Sequence, residues 1–328
     1  MRRRQFVALL GGAAAWPFAA LAQKPDGQRR LIAVLMPYPD TDAEVRGRVA
    51  AFREELGRLG WSGDTLRMEE RWSTDNLERV RADAAELVRL GPDVIFFTGG
   101  RVARIIQERT RSIPTVFVGV SDPLGQGLVP SLARPGGNLT GIALPPYSIT
   151  AKLVEILKQI APHVTRAALV CNPANPSTPF HWKEFETAAA AFSLTPSLIP
   201  ISDEADIGTR FEAFARQPDG GLVFPSDLTI LAHRKTVTAI AARHGLPAIY
   251  SDRVMVATGG LASYSADRTE MFRQGATYVD RILHGEQPGD LPVQQPTKFE
   301  FVVNLKAAKA LGLEVPYTFI VQADEVIE

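Results

Sequence analysis

The sequence predicts an α/β protein of two doubly wound halves, each a parallel sheet with helices on both faces. Three observations lead there. Short, unbroken apolar runs alternate with longer segments whose apolar residues recur at helical spacing. The alternation stops in a turn-rich stretch, Val118 to Ile142, which holds Gly125, Gly127, Gly136, Gly137 and Gly141 among Pro123, Pro130 and Pro135, and then restarts. At 328 residues the chain is also long enough for two separate cores.

In the first half, Leu31 to Met36 is an apolar run of the kind buried on both faces of a parallel sheet. Pro37 to Asp42 breaks it, and Asp40 and Asp42 offer N-caps to a helix with Val45, Val49, Phe52, Leu56 and Leu59 on one face. Strands follow at Leu66 to Trp72, Val94 to Phe97 and Pro114 to Val118, separated by helices at Asn76 to Leu90 and Arg101 to Thr110. In the second half, helices over Thr150 to Ile160, Phe180 to Ser193, Asp206 to Gln217 and Thr229 to His244 alternate with strands. Those strands are Arg166 to Cys171, Ser197 to Ile201, Gly221 to Phe224 and Ala248 to Tyr250. A helix over Arg268 to His284, a strand over Lys298 to Val303, a helix over Leu305 to Leu311 and a final strand near Phe319 to Gln322 complete the expectation.

The first residues read as a leader. Arg2, Arg3 and Arg4 precede an apolar, small-residue run from Ala8 to Phe18 and the end Ala20-Leu21-Ala22, so residues 1–22 form a signal peptide cleaved after Ala22, and 23–30 a linker. The run is shorter than the ~20 apolar residues that span a bilayer. Arg3-Arg4-Gln5-Phe6-Val7 fits a twin-arginine signal without its upstream Ser or Thr, and an ordinary Sec leader is the other reading. Both place the mature protein in the periplasm. The leader holds three of the 36 basic residues and none of the 36 acidic ones, so the mature chain has 33 against 36, a formal charge of −3. Such a chain lacks the basic footprint of a nucleic-acid or anionic-lipid binder. Cys171, the lone cysteine, excludes an intrachain disulfide and sits in an apolar strand, as a small buried hydrophobe does.

The run Asp-Pro-Leu-Gly-Gln-Gly-Leu-Val at 122–129, with Ser-Leu-Ala-Arg-Pro-Gly-Gly-Asn-Leu-Thr-Gly at 131–141, resembles the extracytoplasmic solute-binding proteins of ABC importers, in the group with tryptophan- and tyrosine-binding receptors. The resemblance continues in Gly259 to Tyr264, Tyr278 to Gly285 and Leu291 to Phe299. It implies a type I periplasmic-binding-protein-like fold, in which two lobes are joined by a three-segment hinge with crossings near 138–144, 261–266 and 296–301. The lobes would be 31–142 plus 266–298 and 143–265 plus 299–328. It also implies a non-enzymatic, monomeric receptor that takes a small solute, an amino acid or aromatic carboxylate, to a membrane permease, without cofactor or metal.

In open α/β sheets, ligands sit beyond the carboxyl ends of the strands. The candidates there are Tyr38, Trp72, Thr98, Gly99, Gly100, Ser121 and Asp122 in the first half, and Asn172, Asn175, Ser226, Asp227 and Tyr250 in the second. Thr98-Gly99-Gly100 leads into a helix, where N–H groups and a hydroxyl can hold a carboxylate; a bare tight turn is the plain alternative. Asp227 can receive an ammonium or simply cap the helix after it. Tyr38, Trp72 and Tyr250 can flank a planar ligand or pack in the core.

Catalytic patterns are missing from the sequence. His163, His181, His233, His244 and His284 show no zinc-ligand spacing, no Gly-x-Ser-x-Gly elbow occurs, and Gly125-Gln126-Gly127 lacks the third glycine of a dinucleotide fingerprint. An exported α/β enzyme and a ligand-sensing subunit of a membrane signalling system remain the rival readings.

Overall fold

The computed structural model describes residues 29–74 and 76–328. The expected signal peptide, and the expected linker up to Gln28, lie outside the described residues. Two sheets organise the molecule. The first is built by β1 (Arg30–Met36), β2 (Leu66–Trp72), β3 (Val94–Thr98), β4 (Thr115–Val120) and β5 (Leu139–Ala143), all parallel, in the order β2-β1-β3-β4-β5. Helices α1 (Ala43–Arg58), α2 (Leu77–Arg89) and α3 (Gly100–Arg109) connect its strands.

The second sheet begins after α4 (Ile149–Ile160). Strands β6 (Arg166–Cys171), β7 (Thr195–Pro200), β8 (Gly220–Phe224), β9 (Ala248–Tyr250) and β10 (Ala262–Ala266) follow, with α5 (Thr178–Ala191), α6 (Glu204–Ala215), α7 (Leu228–Ala232), α8 (Arg234–Arg243) and α9 (Arg253–Ala257) among them. The order β7-β6-β8-β9-β10 repeats that of the first sheet, so two βα units of one design stand in series. After α10 (Arg268–Leu283), strand β11 (Phe299–Asn304) joins β10 antiparallel, α11 (Leu305–Ala310) and α12 (Tyr317–Gln322) follow, and β12 (Glu325–Ile327) closes the edge.

Side-chain alternation explains why these runs become central strands. In β1, Ile32, Val34 and Met36 enter one apolar cluster while Ala33 and Leu35 enter the cluster on the opposite face. In β6, Ala167, Leu169 and Cys171 divide from Ala168 and Val170 in the same way. Each large side chain sealed this way contributes roughly 1.5–3 kcal/mol. Helix α1 starts where Asp42 accepts from the N–H groups of Glu44 and Val45 and buries Val45, Val49, Phe52 and Leu56. Helix α10 lays Met271, Phe272, Ala276 and Val279 into that same cluster, so it packs on the first sheet although it leaves from the second. The chain therefore passes between the sheets three times: after β5, between β10 and α10, and before β11.

Two expected elements differ. Phe319 to Gln322, rich in apolar and β-branched residues, reads as a strand but lies in the helix α12. Pro316 starts it, Phe319 alone is buried, against Phe301, and Tyr317 is 78% exposed, a pattern a half-buried strand does not give. The edge is taken instead by β12. The expected helix over Thr229 to His244 is divided at His233 into α7 and α8, where Arg234 turns its guanidinium onto the Leu231 carbonyl and towards Asp42.

Candidate functional site

Strand order reverses at β1/β3 in the first sheet and at β6/β8 in the second, and the loops after those four strands face each other. They enclose a cavity of about 50 Å³. Seven residues expected from strand ends line it: Tyr38, Thr98, Gly99, Gly100 and Ser121 from the first lobe, Asn175 and Ser226 from the second. Arg101, Gly119, Gln126 and Arg268 line it too. Gly119 is in the left-handed region (φ +76°), and a Cβ there would lie 3.0 Å from Arg268 Nη1 and 3.1 Å from Thr98 Oγ1. That position keeps room for the arginine.

The other expected residues stand elsewhere. Trp72 ends β2, at the sheet edge and away from the reversal, and donates its indole N–H to Glu70. Asp122 closes the turn after β4 by accepting from the Gly125 N–H at 2.8 Å. Asn172 accepts from Ala174 N and donates to Thr229 Oγ1. Tyr250 points from β9 into the helix-covered face, fully buried and stacked on Phe224 at 4.7 Å. Asp227 caps α7 through Thr229 N (2.9 Å) and Ile230 N (3.4 Å), and also accepts from Asn172 N (3.1 Å) and Asn175 Nδ2 (2.9 Å). Burial pushes its pKa upward, against those four donors.

Charged groups tie the lobes together across the cleft. Arg48 of α1 pairs with Asp252 at 3.0 Å, both nearly sealed from solvent. Arg268, in the first turn of α10, lies 3.8 Å from the other Asp252 oxygen and donates to Ser226 Oγ at 2.9 Å. Asp42 pairs with Arg234 at 2.8 Å. Burial alone would raise the Asp252 carboxyl, but Arg48 and Arg268 outweigh it and hold its pKa below the ordinary range. Burial pushes the Tyr38 phenol up to about 12, so it stays neutral. Arg48, Arg101, Arg234 and Arg268 are not among the sequence candidates. Arg268 has one available signal: it follows the end of β10 by two residues, as Tyr38 follows β1 and Ser226 follows β8, but the resemblance marks 261–266 as a crossing of the hinge.

His181 borders a smaller void beside the cavity, with Ser121, Leu144, Ser226 and Arg268. Its Nδ1 lies 2.8 Å from Thr150 Oγ1, and burial pulls its pKa from 6.5 to about 4. Below pH 6.5 the unfolded chain therefore binds a proton that the folded one refuses, so stability falls with pH from 6.5 towards 4 and this contribution levels off below. The expected loss is on the order of 3 kcal/mol. Chemical denaturation at pH 7 and pH 4.5 checks it: His181→Gln should show a smaller difference than the wild type.

A family profile described as "ABC transporter substrate binding protein" matches residues 32–327. The chain belongs to that family. A curated relative, the tyrosine-binding protein of Clostridioides difficile (strain R20291), is 23% identical over 283 residues, 86% of this chain and 80% of the relative. Among solved structures, the ABC domain in complex with L-Trp from Streptococcus pneumonia superposes with a TM-score of 0.85 at 24% identity, over 92% of this chain and 100% of that one. A conserved domain protein from Vibrio cholerae gives 0.84 at 25% identity, over 91% and 100%. As an ABC transporter substrate-binding protein, the chain is a binder and not an enzyme, with the two-sheet fold of its relatives.

Proposed function

We propose that this protein is a periplasmic receptor of an ABC importer that closes its lobes on an amino acid or aromatic carboxylate and delivers it to a membrane permease. The observation that carries this reading is the cavity at the two strand-order reversals, lined from both lobes. A solute touching Thr98, Gly99 and Gly100 on one side and Asn175 and Ser226 on the other binds the closed state better than the open one, and that difference drives closure. The moving units are 31–142 plus 266–298 and 143–265 plus 299–328, in a monomer. Relatives described as tyrosine-binding, or in complex with L-Trp, support an aromatic solute.

At about 50 Å³ the cavity is smaller than the ~150 Å³ that holds a benzene, so the lobes must stand further apart around a bound solute than they do here. A thermal-shift screen of the purified protein against amino acids and aromatic carboxylates tests the reading. A solute at about 100 times its Kd should stabilise the fold by about 2.7 kcal/mol and be recovered unchanged. Uptake of that solute should stop in cells lacking either this protein or its permease. Conversion of the solute to another compound would count against the receptor reading.

A further inference from the structure

We propose that the solute is a small organic carboxylate carrying no ammonium group, its acid held between Arg268 and the first turn of α3. This deepens the receptor reading above and rests on it.

A buried ammonium is held best by a carboxylate, and none lines the cavity; the acceptor left open there is the neutral Gln126 Oε1. Its lining contains two arginines, Arg101 and Arg268, and no acid. Three buried acids stand behind it, each engaged within the protein. Asp42 holds Arg234 and the start of α1. Asp227 accepts four hydrogen bonds from its own lobe. Asp252 takes Arg48 at 3.0 Å and the Val254 N–H at 3.1 Å on one oxygen; the other has no hydrogen-bond partner, but it lies 3.8 Å from Arg268 Nε and Asp252 does not line the cavity. Glu300, the next acid to act on Arg268, is itself 3.7 Å from Arg253 and does not line the cavity.

The charge count then decides the sign of the missing partner. Arg48 and Arg268, with side chains 7% and 12% exposed, share one carboxylate. Arg268 spends one donor on the neutral Ser226 hydroxyl, and its Nε is buried without a hydrogen-bond partner. A buried guanidinium without full compensation costs several kcal/mol, and an anion in the cavity offsets that cost. Thr98, Gly99 and Gly100, at the start of α3, line the same space, and the positive end of that helix suits a carboxylate a second time. An amino acid would bring a positive charge into a site that already has an excess.

Matched sets test this in the wild-type protein by calorimetry: tryptophan, indole-3-propionate and tryptamine; tyrosine, 3-(4-hydroxyphenyl)propionate and tyramine; leucine, 4-methylpentanoate and 3-methylbutylamine. In any set that binds, the ammonium-free acid should bind at least about tenfold tighter than the amino acid, and the amine should give no heat. Arg268→Gln should weaken the acid by about tenfold or more while leaving the ligand-free melting point level or higher, since it removes an uncompensated charge. An amino acid that binds as tightly as its deaminated partner overturns the inference and leaves the receptor reading standing. If none of the nine compounds binds, the acid-solute reading falls with it.

Discussion

Asp252→Asn should open the cleft. The substitution keeps an acceptor for the Val254 N–H but leaves Arg48 and Arg268 facing each other without a carboxylate. Breaking a buried ion pair in a rigid core costs about 3–5 kcal/mol. Here the two guanidiniums have an escape, because the pair spans the lobes, 204 residues apart in sequence, and separation lets both hydrate. The expected result is a ligand-free protein with a larger radius of gyration by small-angle scattering and a melting point lowered by less than the full cost. Solute affinity should fall in proportion to the lost closed population. Unchanged scattering would show that the pair does not hold the lobes together.

The second large effect is expected in the first lobe. Gly141 has φ +150°, and a Cβ there would sit 2.0 Å from the Phe117 carbonyl oxygen and 2.7 Å from its nitrogen. Phe117 and Gly141 are paired in the β4–β5 ladder, so the clash is with backbone that cannot rotate away. Gly141→Ala should therefore cost more than about 4 kcal/mol, seen as loss of soluble protein or a collapsed denaturation midpoint. Gly137→Ala, where nothing lies within 4 Å of the added carbon, is the control and should stay within about 0.5 kcal/mol. Equal midpoints for the two variants would refute the packing argument.

Local pattern carried the sheets into view because most central strands, β1, β3, β6 and β8 among them, are continuous apolar runs and a helix such as α1 announces itself with a cap, here Asp42, whereas β10 (Ala-Ser-Tyr-Ser-Ala) carries no such run. It failed where packing overrode composition, as in Phe319 to Gln322, whose residues favour a strand while one buried anchor, Phe319, needs only a helical turn. The cavity was legible through the rule that loops after strands face the ligand, which brought in Tyr38, Thr98 and Ser226. That rule cannot say which loop residue turns inward. Asp227 and Asn172 satisfy each other's neighbourhood, and Trp72 sits on an edge strand whose place in the sheet only long-range pairing decides. The arginines escaped for a related reason. Arg48 lies mid-helix and looks like a solvated charge, and its partner Asp252 has no local relation to it.

Two of the three passages between the lobes run side by side. The β10–β11 ladder ends at Ala266 and Phe299, and it is prolonged by the Asp267 N–H donating to the Lys298 carbonyl and by the Lys298–Asp267 ion pair at 2.8 Å. A two-stranded ribbon flexes across its thin dimension and resists shearing in its own plane. The proposed opening is thus left with one easy swing, like a door on a strip of leather, so the mouth of the cleft would gape on a fixed side whatever solute arrives.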